Sequence, residues 1–309
     1  MRATPLRLFA VLLTGVLAAC GGESASPPSR EFDGTAALAS VVTQVGFGPR
    51  IPGTPGHAAM AKWLDSLVRT KSASVVVQRW WHHPAGRGDS LEMINIIARV
   101  NPAATSRVLY LAHWDTRPRS DGPTSTDRTA PVPGANDGGS GVAVLLGVLE
   151  ALNKRPPTVG VDLVFVDGED YGSFGPPRVD VLIGATYYAA HPVTAARPLF
   201  AVVWDMVGDI DLRIPKDPGS QIAAPDVVDL VWSVALAMGY GHIFVDASYR
   251  GPIIDDHTPL IEAGFRAIDV IDIDYTSWHT PHDTPDKVSA ASLEAVGNVA
   301  VGVIRRTAP

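Results

Sequence analysis

The chain has 309 residues, of which 46% are hydrophobic and 18% charged. That is enough apolar material for a full globular core and too little charge for a disordered chain. A formal net charge of −7 offers no basic excess for a nucleic-acid partner, and the single cysteine excludes an intrachain disulfide and a cysteine-built zinc site.

The N-terminus reads as an address. Arg2 and Arg7 precede an uncharged run from Leu8 to Ala19, which ends Leu17-Ala18-Ala19-Cys20. A basic start, a short apolar run and small residues before a cut site describe a secretory signal, and the run is too short for a comfortable membrane span. Cysteine directly after Leu-Ala-Ala resembles the bacterial lipoprotein signal, which implies lipidation at Cys20. The expectation is a signal peptide over 1–19 and a tether over 20–34, rich in Gly, Ser and Pro. The protein is then exported and held by its lipid alone, facing the periplasm or the cell exterior. Gly21, where an aspartate would favour the inner membrane, favours the outer one. Mean hydropathy is only slightly positive, and no second long apolar run follows, so a multi-span membrane protein is excluded.

From Thr35 to the C-terminus the pattern is one α/β domain. A helix is predicted over Thr35–Val45, then a Gly/Pro-punctuated loop over Gly46–Gly56. Thr54 caps the next helix, with Pro55 in its first turn, and that helix runs to about Arg69. Strands are predicted at Ser74–Trp81, Met93–Val100, Arg107–Ala112, Val161–Val166, Leu199–Trp204 and Ala267–Ile273. Helices are predicted at Val142–Leu152, Asp226–Met238 and Ala290–Arg305. Continuous apolar strands separated by helices argue for a mixed, mostly parallel central sheet with helices on both faces.

The acids and histidines sit where those strands end. Arg107–Ala112 runs into His113-Trp114-Asp115. Val161–Val166 runs into Asp167-Gly168-Glu169-Asp170, and Leu199–Trp204 into Asp205. The last strand leads to Trp278-His279-Thr280, while Asp137 lies in Gly134-Ala-Asn-Asp-Gly-Gly-Ser-Gly141 before an apolar helix. Sites in open α/β sheets form outside the carboxyl ends of the strands. Distant segments would thus deliver His113, Asp137, Glu169, Asp170, Asp205 and His279 to one edge. Imidazole mixed with carboxylate suits zinc. The Gly134–Gly141 loop carries neither a phosphate-loop Lys-Ser/Thr nor a nucleophile elbow. Thr116–Pro133 links His113 to Asp137, so this long loop should border the site. His57, His82, His83, His191, His242 and His282 are expected to be ordinary side chains. His257 follows Asp255-Asp256 and is a candidate for the layer behind the ligands.

Taken in order, Phe47–Gly56, His113-Trp-Asp115, Gly134-Ala-Asn-Asp137, Asp167-Gly-Glu-Asp170, Asp205-Met-Val-Gly208, Asp255-Asp-His257 and Trp278-His-Thr280 resemble the zinc aminopeptidase and glutaminyl-cyclase family, from about Phe47 to the C-terminus. The resemblance implies a zinc enzyme acting on peptides with a free N-terminus. In its two-zinc aminopeptidases the position of Asp137 bridges both metals, those of His113 and Asp205 complete one, and those of Asp170 and His279 the other. In its glutaminyl cyclases one zinc is held at the positions of Asp137, Asp170 and His279. The counterpart of Asp205 there joins a hydrogen-bond network with those of Glu169 and Asp255. Glu169 matches the general acid/base of both branches. Asp170 departs from the pattern, since many relatives carry Glu, and its shorter side chain requires the backbone to move closer.

The resemblance leaves two chemistries open, with one zinc or two. Cyclase chemistry turns an N-terminal glutamine into pyroglutamate with loss of ammonia. Trp278, Phe47–Gly56 and Asp255-Asp256-His257 resemble that branch, and it is the favoured reading. Aminopeptidase chemistry hydrolyses the first peptide bond, and Asp137-Gly-Gly-Ser-Gly141 resembles it. Trp278 and Trp204 are the expected aromatic contacts to substrate, with Trp114 as a further wall or as core. A binding lipoprotein that kept the fold without catalysis is the third reading. No ligand or acid/base position is missing, which speaks against it.

Overall fold

A computed structural model describes Met1 and residues 30–309. Nearly all of the expected signal segment, Cys20 and most of the expected tether lie outside the described residues. The elements run, in chain order, α1 (Gly34–Val45), α2 (Pro55–Lys71), β1 (Val75–His82), β2 (Leu91–Val100), β3 (Arg107–His113) and α3 (Gly139–Lys154). They continue β4 (Gly160–Val166), α4 (Ile183–Ala190), β5 (Phe200–Asp205), β6 (Ile214–Lys216), α5 (Pro218–Ala223) and α6 (Pro225–Ala237). Last come β7 (Phe244–Ser248), α7 (His257–Glu262), β8 (Ala267–Ile271) and α8 (Ala290–Arg306).

Six strands form one mixed sheet in the order β1-β2-β4-β3-β5-β8. The β4, β3, β5 and β8 strands are parallel neighbours, and β1 and β2 add antiparallel at one edge. Side chains alternate across the sheet with period two. Ile96, Val108, Tyr110, Leu163 and Val202 face a core shared with α1, α2, α3, α6 and α8. Ile97, Leu109, Leu111, Val164 and Val203 face a second core under α4 and α7. Burial on both faces is why these strands read as unbroken apolar runs. The doubly covered sheet matches the expected fold class.

The predicted strands and helices are present, with ends moved by up to three residues. Thr54 caps α2 through its side chain, as expected. Short α4, β6, α5, β7 and α7 were not legible. β6 has three residues, α7 carries Pro259 within six, and α4 starts only after Leu182 turns left-handed at φ 55°. The packed body also begins earlier than Thr35. Glu31 and Phe32 donate their backbone N–H groups to Asn298, Asp33 caps α1, and the Phe32 ring is buried over Gly147 and Gly297.

Helix α3 begins at Gly139 rather than Val142 because glycines let the backbone come close to the strand ends. Gly138 has φ +82°, and a Cβ there would lie 2.5 Å from the Asp115 carbonyl. At Gly141 a Cβ would lie 2.1 Å from the Trp204 carbonyl. Asp137 is thereby seated directly against the ends of β3 and β5.

Candidate metal centre

His113 closes β3, Asp205 closes β5, and Glu169 and Asp170 follow β4 through a turn at Gly168. The segment after β8 returns to the same edge with His279, whose φ is +52°. The sheet thus brings together the residues that the sequence placed at strand ends. Six of them, His113, Asp137, Glu169, Asp170, Asp205 and His279, are buried.

Two triads share Asp137. His113 Nε2 lies 3.2 Å from Asp137 Oδ1 and 3.2 Å from Asp205 Oδ1. His279 Nε2 lies 3.5 Å from Asp137 Oδ2 and 3.3 Å from Asp170 Oδ1. Tetrahedral zinc with ligands at about 2.0–2.2 Å requires edges of about 3.3–3.6 Å between ligand atoms. The second triad matches that spacing, and the first is slightly tighter. Asp137 Oδ2 and Asp170 Oδ2 are buried with no hydrogen-bond partner, although buried carboxylate oxygens are normally satisfied. A mixed imidazole and carboxylate set of this size, with orphaned oxygens, fits zinc.

The field around the triads points the same way. For His279 burial opposes the charge, but Asp170 and Asp121 outweigh it and raise the imidazole to about 9. Burial pushes the Glu169 carboxyl well above its ordinary value, and Asp170 beside it pushes further. Burial likewise lifts Asp205 to about 7, against the pull of His113.

Neighbouring groups hold the functional residues in place. Asp115 accepts the backbone N–H groups of Glu169 and Asp170 at 3.0 and 3.1 Å. Asp283 accepts those of Asn136 and Asp137 at 2.8 and 3.1 Å. Arg50 donates to the carbonyls of Trp114, Pro133 and Gly134. That contact explains the Phe47–Gly56 segment, which clamps the Asp137 loop. Arg117 and Asp121, from the loop after β3, touch Asp170 and His279. The sequence reading missed all five of these residues as individuals. Asp115, Arg50 and Asp283 sit in or just beyond motifs it quoted, so proximity to those motifs was the available signal.

Asp255, Asp256 and His257 lie behind the triads at the start of α7, all buried. His257 stands between Asp217 and Asp269, 3.4 and 3.6 Å away. Asp255 reaches the cavity beside the triads. This cavity, about 50 Å³, is lined by Asp137, Glu169, Asp205, Asp255 and His279 with Phe174, Met206, Ile253, Ile254, Ile271, Ile273 and Trp278. Trp278 stacks on His279, with ring centroids 4.1 Å apart.

Trp204 does not line the cavity, contrary to expectation. It is fully buried and packs edge-on against Tyr110. The pleat explains this: Asp205 points to the site, so its strand neighbour Trp204 points to the opposite face. Trp114 is also core, stacked on His57, whose Nε2 binds Asp167. Trp204→Ala is expected to cost about 3–5 kcal/mol of stability, measured by urea unfolding. A substrate role would instead raise KM and leave stability unchanged.

Comparison with known proteins agrees with this geometry. Residues 95–304 match the model of peptidase family M28. The chain is 24% identical over 288 residues to a glutaminyl-peptide cyclotransferase-like protein of Bos taurus, covering 76% of this chain and 66% of that protein's length. A Bacteroides thetaiotaomicron glutaminyl cyclase superposes with TM-score 0.85 at 34% identity, covering 90% of this chain and 99% of that one. A leucine aminopeptidase precursor from the same organism superposes with TM-score 0.84 at 34% identity, covering 90% and 98%. Matched over most of its length and carrying a zinc-ready ligand set at the strand ends, the chain belongs to peptidase family M28 and is a zinc-dependent enzyme.

Proposed function

We propose that the enzyme is a glutaminyl-peptide cyclotransferase with one zinc, held by Asp137, Asp170 and His279. The observation that carries this reading is an asymmetry between the triads. In one, His113 Nε2 and Asp205 Oδ1 are hydrogen-bonded to each other, and Asp205 also accepts the Met206 N–H. In the other, Asp137 Oδ2 and Asp170 Oδ2 have no partner. In the first triad His113 Nε2 and Asp205 Oδ1 already pair, though His113 Nδ1 has no partner, while the second turns two orphaned carboxylate oxygens inward and calls for a cation. Asp255 lines the same cavity as Glu169 and Asp205 and belongs to neither triad.

Zinc at this site would polarise the side-chain carbonyl of an N-terminal glutamine. Glu169 lies beside it, buried, with an affinity for protons raised by its surroundings. It takes a proton from the substrate's α-amine as that nitrogen attacks the side-chain carbonyl carbon. It returns the proton to the departing amide nitrogen, which leaves as ammonia, so no water is consumed. Asp205 and Asp255 line the cavity with Glu169, and the charge of Asp255 strengthens the hold of Glu169 on its proton. Trp278 stacks against the substrate side chain and closes the cavity on water.

Aminopeptidase chemistry is the second reading, favoured by Asp137 presenting one oxygen to each triad. There Glu169 would deprotonate a water that attacks the first peptide bond. Asp205→Asn separates the two. In the cyclase it is expected to leave one zinc per chain and lower only the rate. A fall in zinc stoichiometry would support the second reading.

The chain is further inferred to be an exported lipoprotein, anchored through Cys20 with residues 21–30 as the tether. What supports this is the sequence of its first twenty residues. Among the described residues no helix is long and apolar enough to cross a membrane.

A further inference from the structure

The loop between β3 and α3 does more than border the site. Arg117 is buried, and its Nη1 donates to Asp170 Oδ1 at 2.6 Å and to the Asp170 carbonyl at 3.2 Å. Its Nε and Nη2 grip both oxygens of Asp121, at 2.6 and 2.7 Å. Asp121 Oδ1 in turn lies 3.2 Å from His279 Nδ1. One guanidinium therefore ties together two ligands of the Asp137–Asp170–His279 triad. Among the described residues, no Lys or Arg side chain pairs with His113, Asp137 or Asp205.

The rest of the loop is sealed onto the same ligand. Gly122 donates its N–H to the His279 carbonyl at 3.0 Å. A Cβ at that position would sit 2.2 Å from the Trp278 carbonyl and 2.9 Å from that of His279. Only glycine permits so close an approach.

We propose that Arg117 and Asp121 form a brace that positions Asp170 and His279 for zinc, and that this brace makes the short Asp170 side chain workable as a ligand. The proposal rests on the zinc reading of that triad. Asp170 is held at its backbone N–H by Asp115 and at its carbonyl by Arg117, so the backbone is fixed where a shorter carboxylate can reach. Arg117 Nη1 donates to Oδ1, the oxygen 3.3 Å from His279 Nε2, while Oδ2 has no partner. Asp121, accepting from Nδ1–H, selects the His279 tautomer whose Nε2 lone pair faces Asp137 and Asp170. Carboxylates behind ligating histidines act this way, and losing one costs about 10–100-fold in metal affinity. Lysine could not substitute, because a single ammonium cannot hold Asp121 by two bonds and reach Asp170 as well.

The sign of one effect decides the matter. Were Arg117 only a nearby positive charge, its removal would tighten zinc binding, since like charges repel. As a brace, its removal must loosen it. Zinc dissociation constants are measured by chelator competition for the wild type, Arg117→Ala, Arg117→Lys, Asp121→Asn and His279→Ala. The melting temperature of each zinc-free protein is recorded alongside. Arg117→Ala is expected to bind zinc about 10–100-fold more weakly. Arg117→Lys should lose most of that affinity despite keeping the charge, and Asp121→Asn should lose less. Zinc-free Arg117→Ala should melt lower, because Asp170 loses its buried cation, but should remain folded. Unchanged or tighter zinc in Arg117→Ala overturns the brace, as does full affinity in Arg117→Lys. A loss of affinity matched by collapse of the zinc-free protein also overturns it, because that is an effect on the fold. His279→Ala that keeps its zinc would overturn the underlying ligand assignment instead.

Discussion

Glu169→Gln is expected to lower turnover by about 10²–10⁴-fold, the usual contribution of a positioned acid/base, while zinc content stays at the wild-type value. Glutamine keeps the shape of the side chain, and the backbone N–H of residue 169 still reaches Asp115. What disappears is a group that can accept the amine proton and return it to ammonia. Asp137, Asp170 and His279 do not depend on the Glu169 carboxyl, so the metal is untouched. The burial that makes Glu169 hold protons strongly also keeps bulk water from replacing it. Turnover and zinc content measured on the same preparation check both halves. Retained activity would remove Glu169 from its role, and lost zinc would place it among the ligands.

His279→Ala and Asp137→Asn should have the opposite signature. Each removes one of three ligands from the Asp137–Asp170–His279 triad. Outer-layer changes alone cost about 10–100-fold in affinity, so loss of a ligand should exceed about 100-fold. Asp137→Asn carries a second cost, because Asp137 Oδ2 is buried without a partner and an amide there lacks the charge that offsets the metal's. Both variants should be inactive because they are empty. Dialysis followed by metal analysis reads this directly, and an unchanged zinc content would reject the ligand role.

Strand ends carried most of what the sequence disclosed. The strands β3, β4 and β5 are apolar because both faces of the sheet are covered, and that pattern is visible without a structure. The acids and histidines directly after them therefore fell at one edge by topology alone. What the sequence could not show was direction. Trp204 and Asp205 are neighbours in the chain but point to opposite faces, so an aromatic beside an acid was read as a cavity wall when it is core. Nor could spacing disclose the brace. Arg117 and Asp121 lie in a segment with no helix or strand, and their roles arise only when the loop folds back across His279. Asp283 is similar: its carboxylate serves backbone groups about 150 residues away in sequence, a pairing that no local motif encodes. The short α7 was hidden by Pro259, yet it places Asp255 beside Glu169.

The most direct test of cyclase chemistry gives the zinc-loaded enzyme a short peptide beginning with glutamine and follows the product by mass spectrometry. The expected result is loss of one ammonia with the peptide chain intact, well above the spontaneous rate. Release of the whole first residue would contradict it, and would make this M28 enzyme an aminopeptidase.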